Sequence, residues 1–163
     1  MNSLPDFWRT EVWHPLSVHF PIALLSIASI FILLSFFSKN SFWSKSGSLL
    51  LIMGTLAAWI SIFTGDLADG VVSRNICDPT VLKEHENAAY LMAYLFSAAA
   101  ILDIFSKING FPLKENYIRI PVLLLLIVAN FKLVETGHLG ASLVYQQAVG
   151  VHVPSADCAE FNE

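Results

Sequence analysis

The chain has 163 residues, 55% of them hydrophobic and 13% charged, and a formal net charge of −4. A soluble globular domain is about 25% charged, so this composition excludes a disordered chain and points away from a soluble one. The 9 Lys+Arg form no basic surface able to neutralise a run of phosphates, which sets nucleic acid aside as a partner, and the length suits one domain.

Taken in chain order, the decisive feature is where formal charges are missing, because a charge at the bilayer centre costs about 2.5–3.5 kcal/mol on insertion scales. Val12 to Ser38 holds no Asp, Glu, Lys or Arg, and residues 16–37 are long enough to cross about 30 Å of hydrocarbon. Pro15 suits a first helical position, which predicts a helix starting after His14. The second span is 46–65, ending at Thr64-Gly65-Asp66, where a glycine suits a helix C-terminus. The third is 85–105, with an uncharged centre from Asn87 to Leu102. The fourth is 117–135; Arg119 and Lys132 bracket its apolar centre, Ile120 to Phe131, where long side chains reach the headgroups. Asp103 and Lys107 are one turn apart, an i,i+4 ion pair.

Small residues in span two (Gly54, Ala57, Ala58, Ser61) and span three (Ser97 to Ala100) permit close helix approach. The expected fold is all-α: an integral membrane four-helix bundle forming a single transmembrane domain. Asp6, Arg9 and Glu11 ahead of a full-length span do not match a signal peptide, so span one is expected to stay in the mature protein. Residues 136–163 form a tail. Its stretch from Thr136 to Ala156 is uncharged, but it holds Gly137, Gly140, Gly150, Gln146 and Gln147. It reads as a helical extension of span four that stops near Gly150 and Pro154 rather than a fifth span.

The loop between spans one and two carries Lys39 and Lys45, and the loop between spans three and four carries Lys107, Lys114 and Arg119. By the positive-inside rule these loops face the cytoplasm. Both termini are then extracytoplasmic, together with Cys77 and Cys158. These cysteines match no zinc-site spacing, and their compartment permits a disulfide, so they are candidates for a bridge or for two separate thiols.

This topology gathers all five histidines, His14, His19, His85, His138 and His152, at the extracytoplasmic face. One imidazole at a membrane boundary is an ordinary anchoring residue, whereas five on one face favour a shared metal or proton centre. His14 and His19 are five residues apart, about 140° around a helix, so both cannot face one point. His138 and His152 are separated by about 21 Å along a continuous helix. The HExxH pattern of zinc hydrolases is missing, so ligands come from different helices. Two such imidazoles suit the axial positions of b-type haem, one or two per chain, with Ala23, Ala88, Ala89, Gly137 and Gly140 near the histidines. Covalent c-type attachment is excluded, since CxxCH is missing.

Several of these segments resemble a bacterial membrane family catalogued as domain of unknown function 2231. They are His14-Pro15-Leu16-Ser17-Val18-His19-Phe20-Pro21, Gly65-Asp66, His85 to Ala89, Gly137-His138-Leu139-Gly140, Leu143-Val144-Tyr145 and Gly150-Val151. The resemblance covers about residues 10 to 153. It implies a four-helix inner-membrane protein, in some members joined to cytochrome-type domains, with His14, His19, His85 and His138 on the family's pattern. Ala141 stands where that pattern has a second glycine.

The leading expectation is a bis-histidine haem b protein relaying electrons between the quinone pool, or a cytochrome or other membrane subunit, and the extracytoplasmic side. Its expected ligands are His19 with His85 or His138, leaving His14 and His152 for a second centre. Two alternatives stand beside it: a site for a copper, zinc or iron ion, using His19, His85 and His138 with Asp66 or Glu86, and a cofactor-free accessory subunit of a larger complex. A stand-alone enzyme is not expected, because no catalytic triad order or phosphate-cradling loop is present.

Overall fold

The computed structural model describes residues 9–107 and 115–151. Its helices are α1 (Thr10–Ser17), α2 (His19–Leu34), α3 (Ser41–Val72), α4 (Pro79–Ser106) and α5 (Glu115–Gln147), with a 3-10 turn at Ser73–Asn75 before α4. Helices α1 and α2 are two halves of one rod. The backbone bonds Val18 N–H to His14 O and Ile22 N–H to Val18 O carry it across the break. Pro21, which lacks an N–H to donate to Ser17, accounts for the discontinuity at Val18. Counting α1 and α2 together, four helices are long and apolar enough to cross a membrane.

The helices outrun the spans expected from charge alone. The first begins at Thr10 with Pro15 inside it rather than at its start. Helix α3 continues seven residues past Gly65 to Val72, so Gly65 is not a helix end. Helix α4 starts at Pro79, because Asp78 Oδ1 accepts from Thr80 N–H and Pro79 fits the first turn. Helix α5 runs unbroken through the expected extension to Gln147. There Ala148 turns left-handed (φ 52°) and Val149 N–H bonds back to Leu143 O, closing the helix end.

Helix α3 packs on both α1 and α2, α4 packs on α3 and α5, and α5 closes the ring against α2. The core between them includes Leu25, Leu51, Phe96 and Leu126, all fully buried. A Cβ at Gly54 would lie 2.8 Å from Leu25, and one at Gly47 the same distance from Ile32 Cγ1; these glycines are what lets α3 approach α2 so closely. Polar side chains cross the interior in pairs: Trp59 Nε1 donates to Ser97 Oγ at 3.0 Å, and Asn130 Nδ2 to Ser29 Oγ at 2.7 Å. Outward positions such as Ile30, Leu56, Phe63, Leu124 and Phe131 are large, apolar and exposed, a lipid-facing surface rather than a soluble one.

One end of the bundle holds the 35–40 connection and the charged residues Asp103, Lys107 and Arg119. There Lys107 bonds both carboxylate oxygens of Asp103 at 2.8 Å, the expected ion pair, and it also contacts Ser48 Oγ on α3. Arg119 donates to Ser35 O and Oγ at 2.9 Å and lies 4.5 Å over the Phe36 ring. Each cation thus ties the end of one helix to a neighbour. The opposite end carries the histidines.

Candidate histidine centre

His14 on α1 and His85 on α4 meet at the histidine end, with ring centroids 6.1 Å apart and planes crossed at 80°. Each ring is fixed by a backbone carbonyl of its own wall. His14 Nδ1 lies 2.9 Å from Ser61 O on α3, and His85 Nδ1 lies 3.0 Å from Thr136 O on α5. A helical carbonyl only accepts, so Nδ1–H is the donor in both rings and Nε2 carries the lone pair. Thr64 Oγ1 donates to the same Ser61 O at 2.9 Å and lies 2.9 Å from Ser17 Oγ on α1, tying α1 to α3.

Each ring also rests on a glycine. A Cβ at Gly65 would stand 3.1 Å from His14 Cε1 and 3.2 Å from its Nδ1. A Cβ at Gly140 would stand 3.2 Å from His85 Cε1 and 3.6 Å from its Nδ1. In both cases the Nδ1–Cε1 edge is against the wall and Nε2 is the nitrogen farther from it. One layer therefore combines His14, Gly65, His85 and Gly140 from four different helices. Gly65 is a ring seat, not a C-cap, and Gly140 seats His85 rather than flanking His138.

The other expected ligands lie apart from this pair. His19 and His138 are exposed, and neither ring has a hydrogen bond or ring contact among the described residues. Cys77 is exposed just ahead of α4. His152 and Cys158 fall outside the described residues, so the second centre and the bridge that involve them are not part of this geometry. Among the described residues no three His, Cys, Asp or Glu side chains converge as a metal cage. The two-imidazole pair is the arrangement the fold does provide.

Sequence reasoning missed the carbonyls of Ser61 and Thr136, because a backbone acceptor leaves no residue-type signature. It also misread Gly65, although one signal was available: a Gly inside a helix costs about 1 kcal/mol against Ala, which asks for a packing reason. Comparison with curated proteins and with solved structures finds no match. Residues 12–153, which include His14, Gly65, His85 and Gly140, match the profile of a family described as a predicted membrane protein, DUF2231, and the chain belongs to that family.

Proposed function

We propose that the histidine end holds a b-type haem through His14 and His85 and that the protein is an electron-transfer component of a bacterial inner membrane. The observation that carries this reading is the paired fixation of two rings from different helices. Metal-binding histidines ordinarily donate the second ring nitrogen to a carbonyl or carboxylate, which sets the tautomer and aims the free nitrogen. His14 and His85 both do so. Two rings that hold one metal through Nε2, at about 2 Å each, have centroids up to about 6 Å apart; the pair here stands at 6.1 Å. Bound there, haem iron would supply one-electron exchange. His14 and His85 would hold it, and the Gly65 and Gly140 seats would keep both rings in place.

Lys39, Lys45, Lys107, Lys114 and Arg119 toward one side outnumber Arg9, Arg74, Lys83 and Lys132 toward the other, which supports an extracytoplasmic histidine end. A partner cytochrome or other membrane subunit would then exchange electrons there. A reduced-minus-oxidised spectrum of the detergent-purified protein, with a pyridine haemochrome assay, tests the reading. Sharp α and Soret bands at about one haem per chain are expected, and their loss in His85→Ala. A fully helical, colourless protein from haem-supplemented cells would overturn it.

A further inference from the structure

Alongside the α4–α5 contact, at the histidine end, lies an open groove of about 360 Å³ whose lining includes Glu84, Asn87, Leu91, Lys132, Glu135 and His138. Its volume is that of a small-molecule site. Its depth is set by Arg119, anchored to Ser35 at the other end of the bundle. Hydrocarbon about 30 Å thick takes about 20 helical residues, which from Arg119 reaches about residue 139. Counted the same way from Lys107 on α4, the boundary falls at about residue 87, so the groove straddles the hydrocarbon edge, with the Lys132 ammonium 2.6 Å from Glu135 Oε2. Both members of this ion pair are only partly covered by protein. Ionisable groups within a membrane-spanning helix ordinarily face a functional path or ligand.

We propose that this groove binds the head group of a lipid-phase quinone. Lys132 stands there among two carboxylates, Glu84 and Glu135, which suits an uncharged ring better than a phosphate. Ring oxygens would accept from the Lys132 ammonium and the Asn87 amide. The hydroxyls of the reduced form would donate to Glu135 and His138, and Leu91 would cover the ring face. The isoprenoid tail would leave through the open, lipid-facing side. The role as electron source rests on the haem reading above; the binding site does not.

The test is a titration of purified Leu91→Trp protein with decylubiquinone, read as tryptophan quenching over the wild-type background. Saturable quenching is expected, weakened about tenfold by Asn87→Ala, an exposed position, and unchanged by Phe131→Ala on the lipid face. A photoreactive azidoquinone on the unaltered chain is expected to label residues 84–91 and 132–139. Linear quenching equal in all variants, label spread over all four helices, or a co-purifying phospholipid in the groove that quinone does not displace would each overturn the proposal. Binding retained in His85→Ala leaves the groove standing whether or not haem is found, and haem without saturable binding removes the groove alone.

Discussion

Five positions, about 140° of helix, separate His14 from His19, and only one of them can face the bundle interior. The structure turns His14 inward because Gly65 opposite offers no side chain and Ser61 offers a carbonyl. A methyl at either glycine meets a ring atom at 3.1 or 3.2 Å, so the ring must move by a few tenths of an ångström or leave its carbonyl. Overpacking of about 1–3 kcal/mol against a helix-propensity gain of about 1 leaves Gly65→Ala and Gly140→Ala destabilised by about 0–2 kcal/mol in detergent unfolding. Both should also lower haem retention. His19→Ala, at an exposed site, should stay within about 0.5 kcal/mol of wild type. Unchanged stability and haem content in both glycine variants would deny them the role of ring seats.

At the level of elements, the spans were legible because missing charge is a strong signal in a membrane chain. Inward and outward faces were not. Helices in lipid are apolar all round, so periodicity does not mark the core side. Small and polar residues do mark it, and Gly54, Ala58, Ser61, Ala99 and Ala100 are indeed at helix contacts or buried. Boundaries failed where a local rule was outweighed. Gly65 and Pro15 both look like helix ends, yet the bond from Val18 N–H to His14 O and the α1–α3 contact through Ser17 and Thr64 keep the chain helical past them. The end of α5 was read to within a few residues, since Gly150 does lie just past it. The left-handed residue there is Ala148, not a glycine. Left-handed backbone costs a non-glycine residue about 1–2 kcal/mol, so Ala148→Gly should stabilise by about 1 kcal/mol and slow amide exchange at Val149. A loss of stability would contradict the stop assigned here.

For the whole molecule, the two ends differ in kind. One is fastened by cations, Lys107 to Ser48 and Arg119 to Ser35; the other by imidazoles on carbonyls. The orientation expected from the loops is tested at Cys77, whose side chain is exposed. A membrane-impermeant maleimide is expected to label Cys77 in intact spheroplasts of a Cys158→Ser strain without permeabilisation. Labelling only after the membrane is opened would reverse the orientation and place the histidine end in the cytoplasm.

On the proposed function, His14 and His85, from opposite walls of the bundle, act as one centre. The measurement that bears on it most directly is haem content per chain, by pyridine haemochrome, across purified His14→Ala, His85→Ala, His19→Ala and His138→Ala proteins of equal helicity. Loss of haem in the first two and retention in the last two is the predicted outcome. Retention in His14→Ala together with loss in His19→Ala would contradict the pairing.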